Sequence, residues 1–332
     1  MSKYVNFLVV DSETATLPFV NEWELSTDDK KKIAIAKPLI YDIGWTVANR
    51  TQGVIKKCCY LVAEIFSVPA IFNTAYYKDK RPKYLEMIAN NEAEIKPWNE
   101  IMEIFLADLA QCKYVTAYNA MFDMKKAIPF TELYISKLYS ANYYEWEEQQ
   151  KIFCQRIIRE RPKANEKEFD PDHFIFRGEK YPMIDIWGLA CTHLLNNPKY
   201  KKQCIENGSM SASGLYFSTS AETAMRYLEQ EFGFIEDHTA LSDAEIETKI
   251  LFTALKRGKV VQGIIYFPFK ILGGTIDFVK EGKGISRELA EAVAEKIESY
   301  LPENAMDFSN FHKQTYNRLM ALKDFIDEKW GE

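Results

Sequence analysis

The sequence predicts an α/β protein, and the order of its segments is what predicts it. The chain opens on three strand-like runs separated by turns, which read as a β-meander. It then alternates helix, short strand, helix and short strand. At 332 residues it has material for one large domain, or for a domain with an appendage.

The first strand is the apolar run Val5, Phe7, Leu8, Val9, Val10. Its length and β-branched content suit a strand buried on both faces. It ends in Asp11-Ser12-Glu13. Residues two apart on a strand project to one face, so Asp11 and Glu13 set their carboxylates side by side, roughly 7 Å between α-carbons. Two unpaired like charges in that position cost stability through desolvation and repulsion. A divalent cation reverses the sign, and hard oxygen donors suit magnesium or manganese. Taken alone, the pair reads as the solvated end of a strand.

Thr14 to Pro18 forms a turn, and a polar insertion follows near residues 18–38. Leu39 to Val47 and Cys58 to Phe66 supply the next two strands, with a turn at Asn49 to Gly53. Residues 71–96 are polar and rich in tyrosine (Tyr76, Tyr77, Tyr84), with Lys78, Lys80, Arg81 and Lys83 among them. That is the composition of a solvated loop and helix, although aromatics interleaved with lysines also suit a nucleic-acid strand.

Residues 98–112 predict a helix, with Ile101, Ile104, Phe105, Leu109 and Cys112 on one stripe. Lys113 to Tyr118 is a short strand, and Asn119 or a neighbour caps the helix that follows. Asp123 then lies near a strand-to-helix junction, where α/β proteins place ligands; by itself it is an acid complementing a helix dipole. Residues 141–180 read as an insertion outside the core sheet. Met183 to Trp187 is a short strand carrying Asp185, and residues 220–231 a helix capped by Ser220. Cys191, His193 and Cys204 match no standard zinc spacing. His238 enters a helix running through Ile246, Ile250 and Leu251. A histidine just before the regular turns can converge with Asp243, five residues later.

The composition is that of an ordinary soluble globular protein, 47% apolar and 27% charged. No apolar stretch has the length of a membrane span, and the N-terminus lacks a secretion pattern. Six cysteines without a framework spacing predict reduced thiols in a cytoplasmic protein. A net charge of −6 excludes a protein that coats polyanions by overall charge. Any positive potential for nucleic acid must be local or supplied by metal ions.

Each acid singled out has an ordinary explanation; their order together does not. Val10-Asp11-Ser12-Glu13-Thr14, then Tyr118-Asn119-Ala120-Met121-Phe122-Asp123, then His238 and Asp243 in HxxxxD spacing resemble the three motifs of the DEDD 3′-to-5′ exonucleases. The HxxxxD form points to the DEDDh (DnaQ-like) branch, similar to the proofreading subunit of bacterial replicative polymerases. Asp185 also sits where that family often has an aspartate in a short strand. Tyr118 departs from the pattern, since many relatives have histidine there, and the change is expected to alter substrate fit rather than abolish activity.

The resemblance implies a DEDDh domain over residues 1–257, with insertions near 18–38 and 140–180, and a C-terminal extension over 258–332. It implies a ribonuclease-H-like fold: a mixed central sheet, antiparallel meander plus parallel strands, with helices on both faces. It implies two divalent cations, Mg2+ or Mn2+, held by Asp11, Glu13, Asp123 and Asp243. Asp11 would bridge them, Glu13 and Asp243 would complete the first site, and Asp123 would hold the second. His238 would be the general base. Thr14 and Ala15 would offer backbone groups to the terminal nucleotide, with Asn119 and Phe122 as further substrate contacts. The implied activity is hydrolysis of single-stranded 3′ ends to nucleoside monophosphates, DNA first. The alternatives are a ribonuclease trimming RNA or short oligonucleotides, and a nucleic-acid- or protein-binding module that keeps the fold. The implied partners are single-stranded ends and a polymerase or other replication or repair protein, with no membrane.

Beyond residue 257, Val260 to Phe267 predicts a strand, and Gly273, Gly274, Gly282 and Gly284 mark turns without the spacing of a phosphate-binding loop. Leu289, Val293, Ile297 and Leu301 predict a helix over 286–301. Tyr316, Leu319, Met320 and Ile326 predict a last one.

Overall fold

The structure is a computed structural model that describes residues 5–16, 38–141, 170–211, 214, 216–231, 233–274, 276, 285–301 and 310–331. Most of the two expected insertions, residues 17–37 and 142–169, lies outside the described residues.

The chain is an α/β protein with a seven-stranded mixed sheet, ordered β4-β3-β2-β1-β5-β7-β6. The strands are β1 (Asn6–Ala15), β2 (Leu39–Asn49), β3 (Gly53–Val62), β4 (Glu94–Lys96), β5 (Tyr114–Ala117), β6 (His173–Phe176) and β7 (Glu179–Asp185). β1 to β3 form the antiparallel meander, while β5 joins β1 and β7 joins β5 in parallel. β2 is buried at every residue, as a strand flanked on both edges and covered on both faces must be. The core of this sheet gathers Leu8, Val10, Trp45, Leu61, Trp98, Phe105, Val115, Tyr134 and Met183.

Four local expectations are corrected. The strand expected through Phe66 stops at Val62, and Ala63–Phe66 is a helical turn. This bend brings the Glu64 carboxylate to the N-terminus of the Trp98–Leu109 helix, where it accepts the Trp98 N–H at 3.0 Å. Pro97, in the N-cap position, makes no side-chain cap. β4 lies in the stretch read as loop and helix; three residues are too few to show alternation. The end of the stretch read as an insertion belongs to the sheet, because β6 and β7 pair as a hairpin. Its two-residue turn, Arg177-Gly178, has φ of 47° and 87°, the left-handed pair that a tight hairpin demands. Finally, Val260 to Phe267 is no strand: one isolated bridge joins Gly263 to Ile184. Gly263 and Phe267 have φ of 93° and 52°, which breaks any extended run.

Contacts divide the chain into two compact units. The first comprises Met1–Ile186, Glu236–Phe252 and Val260–Ile264, and the second Trp187–Ile235, Thr253–Lys259 and Ile265–Glu332. The expected boundary at 257 marks where motif resemblance ends; the units are marked by contacts. In the second unit, Asn197, Ser220 and Ser286 cap the helices Pro198–Glu206, Ala221–Glu229 and Arg287–Tyr300. The last helix, Asn310–Trp330, buries Leu319 and Leu322, whereas Tyr316 and Met320 are exposed. The apolar face is therefore rotated from the stripe that spacing suggested. Among the described residues, no helix is long and apolar enough to cross a membrane.

Candidate active site

β5 pairs with β1 only along Phe7–Val9, so Asp11-Ser12-Glu13 lies past the parallel pair, at the C-terminal end of the two strands. On the other edge β2 holds the motif in register, Asp11 opposite Gly44 and Glu13 opposite Asp42, and the ladder shifts between Glu13 and Thr14. Such an irregularity turns the strand end and re-aims its side chains.

The second wall is the helix Ala240–Arg257. Asp42, fully buried, ties its first turn to the sheet by accepting the Ala240 N–H at 2.9 Å and the Tyr84 hydroxyl at 3.0 Å. Burial pushes this carboxyl up to about 6, and those two donors oppose the rise. Thr46 and Thr248 meet through their hydroxyls at 2.7 Å. Gly44 lets the helix lie flat on β2, because a β-carbon there would fall 2.2 Å from the Leu241 amide nitrogen. His238 precedes the helix with φ of 48°, and Asp243 occupies its first turn.

These elements bring Glu13, His238 and Asp243 together, each offering a ligand atom within 4.8 Å of the others. His238 Nδ1 lies 3.8 Å from Asp243 Oδ2, and its ring stacks on Tyr77 with centroids 4.6 Å apart and planes at 14°. Burial raises Glu13 to about 9, and Asp42 and Asp243 add to the rise while the Lys80 ammonium opposes it. Burial also raises Asp243, against Lys80 and the His238 backbone amide.

Asp11 and Asp123 stand outside that trio but in its field. Asp11 is driven well above the carboxylate range by burial first, then by Glu247, Asp123, Asp243 and Glu13. Asp123, 2% exposed, opens a π-helical turn, Asp123–Ala127, a distortion frequent at functional positions. It accepts the Ser12 hydroxyl at 2.6 Å, which partly offsets the rise caused by its burial.

Of the expected substrate contacts, Asn119 stands at the N-cap with φ of 67° and no side-chain cap bond, a backbone region asparagine tolerates. The Ala120 N–H points to Asp185 Oδ1 instead, at 3.4 Å. Phe122 is partly buried against the core. The Ala15 side chain is fully buried, which leaves its backbone as the group a ligand can meet, and Thr14 is half-buried.

Three participants were missed by the motif reading. Glu247, 3% exposed, accepts the Tyr118 N–H at 3.0 Å and is the strongest electrostatic neighbour of Asp11. Its position four after Asp243, hence on the same helix face, was the available signal. Asp42 gave no signal, being an acid in an apolar strand. Lys80, whose ammonium bears on Glu13 and Asp243, lay in the basic tyrosine-rich stretch.

The donor set fits a hard divalent cation. Asp243 Oδ1 is buried without a hydrogen-bond partner, an arrangement that costs free energy unless a ligand completes it. Carboxylate oxygens such as those of Glu13 and Asp243 are the donors that magnesium and manganese accept, and the imidazole beside them is placed to act on a water rather than on an ion. Cys191 and Cys204 are buried, and the His193 imidazole meets the Lys259 carbonyl at 3.0 Å; these residues are not among the described groups able to hold a metal. No family model matches the chain, and no curated protein or solved structure matches it significantly.

Proposed function

We propose that the chain is a metal-dependent 3′-to-5′ exonuclease of the DEDDh kind, its sheet the centre of a ribonuclease-H-like fold with helices on both faces. The observation that carries the reading is the meeting of Glu13 with His238 and Asp243, from segments more than 220 residues apart. In this reading Asp11, Glu13, Asp123 and Asp243 would hold two divalent cations, Mg2+ or Mn2+. The ions would neutralise charge at the scissile phosphate and ease removal of a proton from the attacking water.

The remaining steps belong to side chains. His238 takes the proton of the attacking water, the task of a group that titrates near neutrality. Tyr77, stacked on it, limits rotation of the imidazole. Ser12 fixes one oxygen of Asp123 and so the orientation of its carboxylate. Glu247 holds the Tyr118 amide and so the turn that carries Asn119.

A 5′-labelled single-stranded oligonucleotide, as DNA and as RNA, tests the reading in magnesium, manganese or chelator. A ladder shortening from the 3′ end in metal alone is expected, and retention without cleavage would favour the binding module. His238→Ala is expected to lower kcat by about 10²- to 10⁴-fold while manganese affinity, followed by titration calorimetry, stays within about twofold. An unchanged rate would remove histidine from the chemistry.

A further inference from the structure

A cluster of acids on a chain of net charge −6 repels a polyanion, so a strand that approaches it must first meet positive charge nearby. That charge stands beside His238. Lys80 donates to the Asp237 carbonyl and lies over the Tyr77 ring, 4.6 Å from its centroid. Lys83 pairs with the Asp237 carboxylate, and Lys78 is exposed. Tyr77 rests on the His238 imidazole, and Tyr76 meets Tyr77 edge-on, centroids 4.8 Å apart and planes at 89°.

Tyr76 is 86% exposed, the most exposed of the large apolar side chains among the described residues. Nothing about the core requires it there. Aromatic rings beside lysines recognise single strands, because every base has a face to stack and every linkage a charge to meet. A ring already braced by its neighbour loses little freedom when a base covers it.

We propose that Tyr76 to Lys80 form the ledge on which the terminal nucleotides of a single-stranded nucleic acid dock, with Tyr76 stacking a base and Lys78 and Lys80 supplying the positive charge. The proposal rests on the exonuclease reading and adds where the strand lies. In that arrangement the Tyr77–His238 stack couples docking to the site, since the ring beside the bound base also braces the imidazole.

The test measures fluorescence anisotropy of a 5′-labelled ten-nucleotide oligothymidylate whose 3′ linkage is a phosphorothioate, in manganese, with an oligouridylate of equal length to tell the sugars apart. Tyr76→Ala is expected to weaken binding about 10-fold on whichever strand the wild-type protein prefers. Tyr76→Phe should retain it, and the melting temperature should not move. Lys78→Ala should weaken binding about threefold and flatten the salt dependence by roughly 0.7 in the log–log slope. Wild-type affinity in Tyr76→Ala, with cleavage of an ordinary oligonucleotide intact, overturns the ledge alone. A wild-type protein that neither binds nor cleaves either strand overturns both the ledge and the exonuclease reading.

Discussion

Asp11→Asn is expected to abolish hydrolysis, by 10³-fold or more, and at the same time to make the metal-free protein more stable. The substitution keeps shape and removes an acid whose ionisation is opposed by desolvation and by Glu247, Asp123, Asp243 and Glu13. These acids sit above their ordinary values, Glu13 at about 9 and Asp42 at about 6. A carboxyl whose folded value is raised binds more protons folded than unfolded at intermediate pH. Its contribution to stability is then complete below the ordinary carboxylate range, near 4, and is lost as pH rises through the raised values. The metal-free wild type should therefore lose melting temperature between about pH 5 and pH 9.

Scanning calorimetry in chelator checks both statements. Asp11→Asn should melt about 3–8 °C above wild type at pH 8, corresponding to one to three kcal/mol in a domain of this size. As the pH falls towards the ordinary carboxylate range the gain should shrink, because the raised Asp11 carboxyl takes up its proton more readily folded than unfolded. Manganese should close or reverse the gap: an ion present at 100 times its dissociation constant stabilises by about 2.7 kcal/mol, and the variant should forgo most of that. A variant less stable than wild type at pH 8 in chelator would make Asp11 a structural acceptor and remove the case for an ion there.

What the sequence made legible is what lies along it. The apolar run into Asp11-Ser12-Glu13 became the central strand, because a stretch from Phe7 to Val10 with every residue buried has few alternatives to a covered strand. His238 and Asp243 converge as their spacing suggested, since a left-handed residue before a helix and an acid in its first turn can face one point. Ser220 caps its helix as expected, accepting the Thr223 N–H at 3.1 Å. The missed features depend on partners that periodicity does not name. β4 and β6 are three and four residues long and owe their strand geometry to the neighbours they pair with. Glu247 is one more acid on a helix until Tyr118 and Asp11 are seen beside it. The strand expected at Val260 had the right residues but is undone by the backbone at Gly263, whose added β-carbon would also strike Asp172 Oδ1 at 2.3 Å.

Gly44 is the position where one methyl group should do the most damage. Its β-carbon would lie 2.2 Å from the Leu241 nitrogen and 2.5 Å from both Ala240 C and Leu241 Cα. All three are backbone atoms, so no side chain can swing aside, and the first turn of the Ala240–Arg257 helix must back away by roughly 1 Å to reach ordinary contact. That movement pulls at the 2.9 Å bond from the Ala240 amide to buried Asp42 and at the 2.7 Å Thr46–Thr248 pair. Overpacking with a lost buried bond should cost about 3 kcal/mol or more, which lowers the melting temperature by about 6–12 °C. Because Gly44 lies opposite Asp11 in the ladder, the same movement draws His238 and Asp243 away from Glu13. A displacement of that size costs on the order of 10²-fold in rate and should weaken manganese binding in parallel. Measuring both at 15 °C, well below the transition, separates displacement from unfolding. If Gly44→Ala melts and cleaves like the wild type, the helix is not seated on β2 as described, and the meeting of Glu13 with Asp243 loses its support.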